Sequence, residues 1–165
     1  MENNVLFKEE QKFSQWWLWC LLLAPFIFSL LTIIIAIYEQ FSSGTKNLSL
    51  SLIIKNDTAI ALLILVAVII IFLVLRLKTI ITTKAIKIQY FPFFTKIIDW
   101  STVETARVVT YGFVGYGIRI SLKHGMVYNV KGNKGLALTL KKGKRLLIGT
   151  QKEKELEQII AEIKT

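Results

Sequence analysis

Cysteine, histidine and proline are nearly missing from this 165-residue chain, which has one Cys, one His and two Pro. A lone Cys20 excludes an intrachain disulfide and a multi-cysteine metal site. It also follows Trp19 inside a hydrophobic stretch, whereas a bacterial lipidation site needs a small residue before the cysteine at the end of the apolar run. The single His124 lies in a His124-Gly125 turn signal and is read as an exposed loop residue. Nucleophilic or acid–base catalysis needs a nucleophile, a base and an orienting group together. The only carboxylates between Arg76 and Lys152 are Asp99 and Glu104, which flank a strand start and do not form an acid–base pair. The expectation is a non-enzymatic protein with no catalytic residue, no cofactor and no metal.

Acidic residues are also scarce: 11 Asp and Glu stand against 21 Lys and Arg, a formal net charge of +10. The imbalance is local. From Arg76 to Thr165 there are 17 basic and 6 acidic residues, while Met1 to Leu75 holds 4 and 5. A basic segment of that kind suits a polyanion, either anionic lipid headgroups or nucleic acid. Nucleic acid is disfavoured, because the aromatics do not lie on the strands that carry the basic residues.

What the chain has in excess is uninterrupted apolar sequence, with a mean hydropathy of +0.53. Residues 16–38 carry no charge, long enough at about 1.5 Å per residue to cross a hydrocarbon core of roughly 30 Å. Trp16, Trp17 and Trp19 at one end and Tyr38 at the other are placed as interfacial anchors. A cleaved signal peptide fits poorly, since the leading residues lack net positive charge and no small-residue cleavage site follows. Residues 58–75 are almost all Ala, Leu, Ile and Val and end at Arg76 and Lys78, a second span if the flanking cations snorkel. These readings predict a transmembrane hairpin over 16–75, preceded by a polar segment over 1–15. Lys8, Lys12, Arg76, Lys78, Lys84 and Lys87 outside the hairpin outnumber Lys46 and Lys55 in its connector, which puts both termini in the cytoplasm of a multi-pass cell-membrane protein.

From Thr79 the period becomes two, the sign of half-buried strands. Ile86, Ile88 and Tyr90 alternate with polar neighbours, as do Ile118, Ile120 and Leu122, and Leu136, Leu138 and Leu140. Turn signals fall at His124-Gly125, at 131–135 and at Lys142-Gly143, predicting an antiparallel sandwich or barrel. Gly112, Gly115 and Gly117 precede a strand and not a helix, so they fit a loop with positive φ better than a phosphate-cradling motif. Lys141, Lys142, Lys144 and Arg145 form a basic hairpin. Leu156, Ile159, Ile160 and Ile163 recur at helical spacing after Thr150-Gln151-Lys152-Glu153, which reads as a capping box.

The series Ile80-Ile81-Thr82-Thr83-Lys84-Ala85-Ile86, Phe91-Pro92-Phe93, Ile98-Asp99-Trp100, Tyr116-Gly117-Ile118-Arg119, 129–136 and Leu147-Ile148-Gly149-Thr150-Gln151 resembles bacterial membrane proteins with a C-terminal pleckstrin-homology-like (PH-like) domain. A Gly is usual in that group where this chain has Ala85. The resemblance covers about Arg76 to Thr165 and implies a membrane-anchored α+β fold: a two-helix transmembrane hairpin, then a PH-like antiparallel β-sandwich or barrel over 76–165 closed by a C-terminal helix. It implies no catalytic residue.

The function expected is a membrane-tethered PH-like binding module engaging anionic lipid or a membrane-protein partner. The alternative is a structural subunit of a larger membrane complex whose specificity lies in the transmembrane helices. The candidate membrane or partner surface is Arg76, Lys78, Phe91, Phe93, Phe94 and Lys96. Strand lengths return the 91–94 loop to the level where the chain leaves the membrane, and phenylalanines suit an interface better than water.

Overall fold

Period-two alternation becomes strands wherever one face can be buried, and the computed structural model, which describes residues 4–43, 57–112 and 115–164, shows where that happens. Strands β2 (Arg76–Thr82), β3 (Ala85–Phe91) and β4 (Phe94–Asp99) form an antiparallel meander. Leu77, Thr79 and Ile81 of β2 are buried, as are Ile86, Ile88 and Tyr90 of β3 and Ile98 of β4. A 3₁₀ turn at Trp100–Thr102 leads into β5 (Val103–Thr110), followed by β6 (Gly117–Ser121), β7 (Gly125–Asn129), β8 (Lys134–Leu140) and β9 (Arg145–Gly149). These form a second sheet in the order β5-β8-β9-β7-β6. The expectation of an all-antiparallel sandwich needs correcting here, because β7 and β9 run parallel, Val127 opposite Leu147.

The N-terminal segment also departs from its expected role as a polar lead-in. Val5–Lys12 is a strand, β1, paired antiparallel with β2 from Val5↔Thr82 to Lys12↔Arg76. Its buried residues are Phe7, Glu9 and Gln11, two of them polar, so no apolar alternation announces it. The Glu9 oxygens and Gln11 Nε2 are satisfied from the other end of the chain, whereas Gln11 Oε1 is buried with no hydrogen-bond partner among the described residues. The Glu9 carboxylate accepts from the Thr150 hydroxyl at 2.6 Å and from the Gln151 N–H at 2.8 Å, while Gln11 Nε2 donates to the Gly149 carbonyl at 2.8 Å.

The chain divides into two compact units, Met1–Phe13 with Val74–Thr165, and Ser14–Leu73. In the first, the C-terminal helix α3 (Glu153–Lys164) touches β1 of one sheet and β5 and β8 of the other. It buries Leu156 and Ile160, with Ile159 and Ile163 half-buried. The capping box does not form as expected. Glu153 pairs with Lys134 at 2.7 Å and does not reach back, while Thr150 Oγ1 accepts from the Lys152 N–H at 3.0 Å.

The second unit holds helix α1 (Trp16–Ser42) and nearly all of α2 (Asp57–Val74). Among the described residues α1 is the one helix long and apolar enough to cross a bilayer, about 40 Å at 1.5 Å per residue. Its polar hydroxyls bond within the helix, Ser29 to the Pro25 carbonyl at 2.9 Å and Thr32 to the Ser29 carbonyl at 2.8 Å, so they cost little in an apolar surrounding. The described apolar part of α2, Ile60–Val74, is shorter than the roughly 20 residues a lone span needs. A multi-pass hairpin is therefore not established by helix length. Gly44, Lys46 and Lys55 of the connector lie outside the described residues.

Candidate functional site

The six residues of the expected surface divide between the two faces of the first sheet. Arg76 pairs with Phe91 across β2 and β3, and Lys78 with Gln89. Together with Glu10 of β1 they line an open groove of about 360 Å³. Arg76 Nη1 lies 3.1 Å from Glu10 Oε1, so part of the groove's positive charge is already balanced. The tight turn after β3 closes with the Phe93 N–H donating to the Tyr90 carbonyl at 2.8 Å, and leaves Phe91 and Phe93 46% and 63% exposed.

Phe94 and Lys96 do not join them. Their partners across β3 and β4 are Tyr90 and Ile88, both buried, so the pleat turns them to the inner face. Phe94 stacks on Tyr90 with centroids 6.1 Å apart and meets Tyr128 at 5.8 Å. Lys96 Nζ sits 5.9 Å from the Tyr128 ring centroid, a cation–π distance. Its pKa is pushed down by burial and by Lys144. The expectation of one surface containing all six residues is corrected accordingly. Of the expected interfacial anchors, Trp16, Trp17 and Tyr38 are exposed on α1 and Trp19 is half-exposed.

The basic charge gathers at the other end of the β unit. Lys84 occupies the β2–β3 turn, seven residues of strand away from Arg76, about 20 Å at 3.3 Å per residue. The Trp100 N–H donates to the Lys84 carbonyl and the Lys141 N–H to the Thr102 carbonyl, both at 3.0 Å, which brings the β8–β9 turn with Lys141, Lys142 and Lys144 to this same end. Arg145 Nη1 donates to the Lys123 carbonyl at 3.0 Å, which brings the β6–β7 turn there too.

That arrangement creates a basin the sequence reading did not find. Arg107 of β5, Lys123 and His124 of the β6–β7 turn and Arg145 of β9 line a depression of about 340 Å³ with Thr105 and Thr139. Its floor includes Ala137, which packs on a buried apolar cluster of Tyr111, Val127 and Leu147. His124, expected to be an exposed loop residue, is half-buried, its ring 6.2 Å from that of Tyr111. Burial lowers its pKa first, and Lys123, Arg145 and Arg107 lower it further. Burial likewise pushes the Tyr111 phenol up to about 12. The basin's cations come from three separate elements, so no local motif could have revealed it. The one sequence hint is the basic hairpin, of which Arg145 turns into the basin.

In the glycine cluster, Gly115 and Gly117 take positive φ, +83° and +88°, as a loop of that composition leads one to expect. No protein-family model, curated protein or solved structure matches this chain.

Proposed function

We propose that this chain is a membrane-tethered, non-enzymatic binding module, in which two hydrophobic helices hold a PH-like β unit at the cytoplasmic face of the cell membrane. The observation that carries the reading is the register of β1 and β2. Lys12, just before α1, is paired with Arg76, just after α2. Paired residues of an antiparallel ladder lie about 5 Å apart, whereas a single crossing would separate the two ends of the hydrophobic segment by a hydrocarbon core of roughly 30 Å. Entry and return on one side require an even number of crossings. With α1 as the first, α2 is the second, its short apolar length relieved by snorkelling cations at its ends.

The PH-like reading is supported by an antiparallel meander, a second sheet and a closing C-terminal helix that touches both. The parallel β7–β9 pair and the outer β6–β7 hairpin are additions to that plan. The surface for anionic lipid or a membrane-protein partner is the end of the first sheet that carries Arg76, Lys78, Phe91 and Phe93. The chain enters and leaves the hydrophobic segment at this end, and two exposed phenylalanines sit beside two cations, a combination suited to a headgroup boundary.

Topology reporters inserted at Gly44 and fused after Thr165 test the tether and should give opposite signals. The same signal at both positions would overturn it. Lipid binding is to be measured on the full chain, because a fragment starting at Lys78 lacks β1 and leaves the partners of Glu9 and Gln11 without their acceptor and donor.

A further inference from the structure

The basin on the second sheet is independent of the anchoring role and has a chemistry of its own. Like charges brought together without a counter-ion repel one another, and the repulsion grows over a low-dielectric floor. Arg107, Lys123 and Arg145 are nevertheless gathered around one depression, above the apolar cluster of Tyr111, Val127 and Leu147. Among the described residues no carboxylate lines it, and none of the three cations belongs to an ion pair. Elsewhere the protein does pair its cations, as at Arg76–Glu10 and Lys134–Glu153. One cation is held in place, since the Arg145 side chain is bonded to the Lys123 carbonyl. The two threonine hydroxyls add neutral donors at the rim.

We propose that this basin binds a phosphate-class dianion, a phosphomonoester or pyrophosphate group, held by the guanidinium groups of Arg107 and Arg145, the Lys123 ammonium and the hydroxyls of Thr105 and Thr139. Two guanidinium forks suit the paired oxygens of phosphate, and a charge of about −2 offsets most of what the three cations bring. His124, kept neutral near pH 7 by burial and by those same cations, supplies one further N–H donor.

The chain's single histidine is a built-in reporter. In full-length protein in nanodiscs of zwitterionic lipid, the His124 imidazole is followed by NMR as a function of pH while inorganic pyrophosphate is added. A dianion in the basin offsets the cations that depress the imidazole, so the His124 pKa should rise and the rise should saturate. Arg107→Gln and Arg145→Gln should each weaken binding at least about tenfold, the scale of a lost charge-assisted hydrogen bond. Lys84→Gln, at the same end but outside the basin, should leave it unchanged. Short-chain, water-soluble phosphatidic acid added to the solution separates the two sources of this chemistry. A response to pyrophosphate assigns a soluble ligand, and a response to phosphatidic acid alone assigns a lipid headgroup. No response to either overturns the proposal, as does an equal response to potassium chloride at matched ionic strength, which would be screening.

Discussion

The carboxylate of Glu9, only 5% exposed on the first strand, is hydrogen-bonded to the hydroxyl of Thr150, 141 residues further along the chain. A second bond from the Gln151 N–H makes this one side chain the link between the N-terminal strand and the entry to the last helix. Glu9→Ala removes the acceptor of two donors in a buried setting and should cost about 2–4 kcal/mol. Chemical denaturation of the full chain in detergent, followed by the fluorescence of Trp100, bonded to the Thr82 carbonyl, in a background carrying Trp16→Phe, Trp17→Phe and Trp19→Phe, checks it.

Ile160 and Ile120 test which apolar residues belong to the core. Ile160 is 5% exposed on α3 and Ile120 is 82% exposed on β6. Ile160→Ala should destabilise by about 2–5 kcal/mol and Ile120→Ala by less than about 0.5 kcal/mol, compared in the same denaturation assay.

Two glycines with similar backbones should respond differently. Gly125 and Gly143 have φ of +68° and +75°. A Cβ at Gly143 meets nothing within 4 Å, whereas one at Gly125 would run into the backbone carbonyl of Arg145. Gly143→Ala should cost about 1 kcal/mol for the left-handed conformation alone. Gly125→Ala should cost at least about 3 kcal/mol, because a backbone clash is added. Thermal melts of the two variants side by side decide it.

A fluorescent probe at Phe93 in proteoliposomes should be quenched by headgroup-level quenchers much more than a probe at Lys84. The two positions lie at opposite ends of the first sheet, about 20 Å apart by strand length. Equal quenching would mean that the Phe93 end does not face the bilayer.

Much of the β unit was legible because burial there follows apolar alternation. Ile86, Ile88 and Tyr90 face inward as their spacing predicts, and so do Leu136 and Leu138. The same rule failed for Ile118, Ile120 and Leu122, which alternate just as cleanly but are exposed, Leu122 completely. They lie on or just beyond β6, the outer strand of its sheet, where the described residues leave them exposed. The rule failed in the opposite sense for β1, whose buried Glu9 and Gln11 look like surface residues until their partners at Gly149, Thr150 and Gln151 are known. Pleat geometry explains the divided candidate surface: Phe91 and Phe94 flank one short turn, yet cross-strand register assigns them to opposite faces. The cationic basin was not legible, because Arg107, Lys123 and Arg145 share neither element nor spacing and are joined only by the order of the strands.

The pairing of β1 with β2 also has a consequence for biosynthesis. The ribosome releases β1 first, but its ladder partner follows only after both hydrophobic helices, and the Gln151 N–H that binds Glu9 is made 142 residues after it. At about 5–20 residues per second, that delay is roughly 7–28 s. During it, α1 and α2 leave the ribosome while Val5–Lys12 is still a polar tail with no ladder to join. Both helices therefore leave the ribosome before β1 can pair with β2, and the Glu9 bonds to Thr150 and Gln151 form later still.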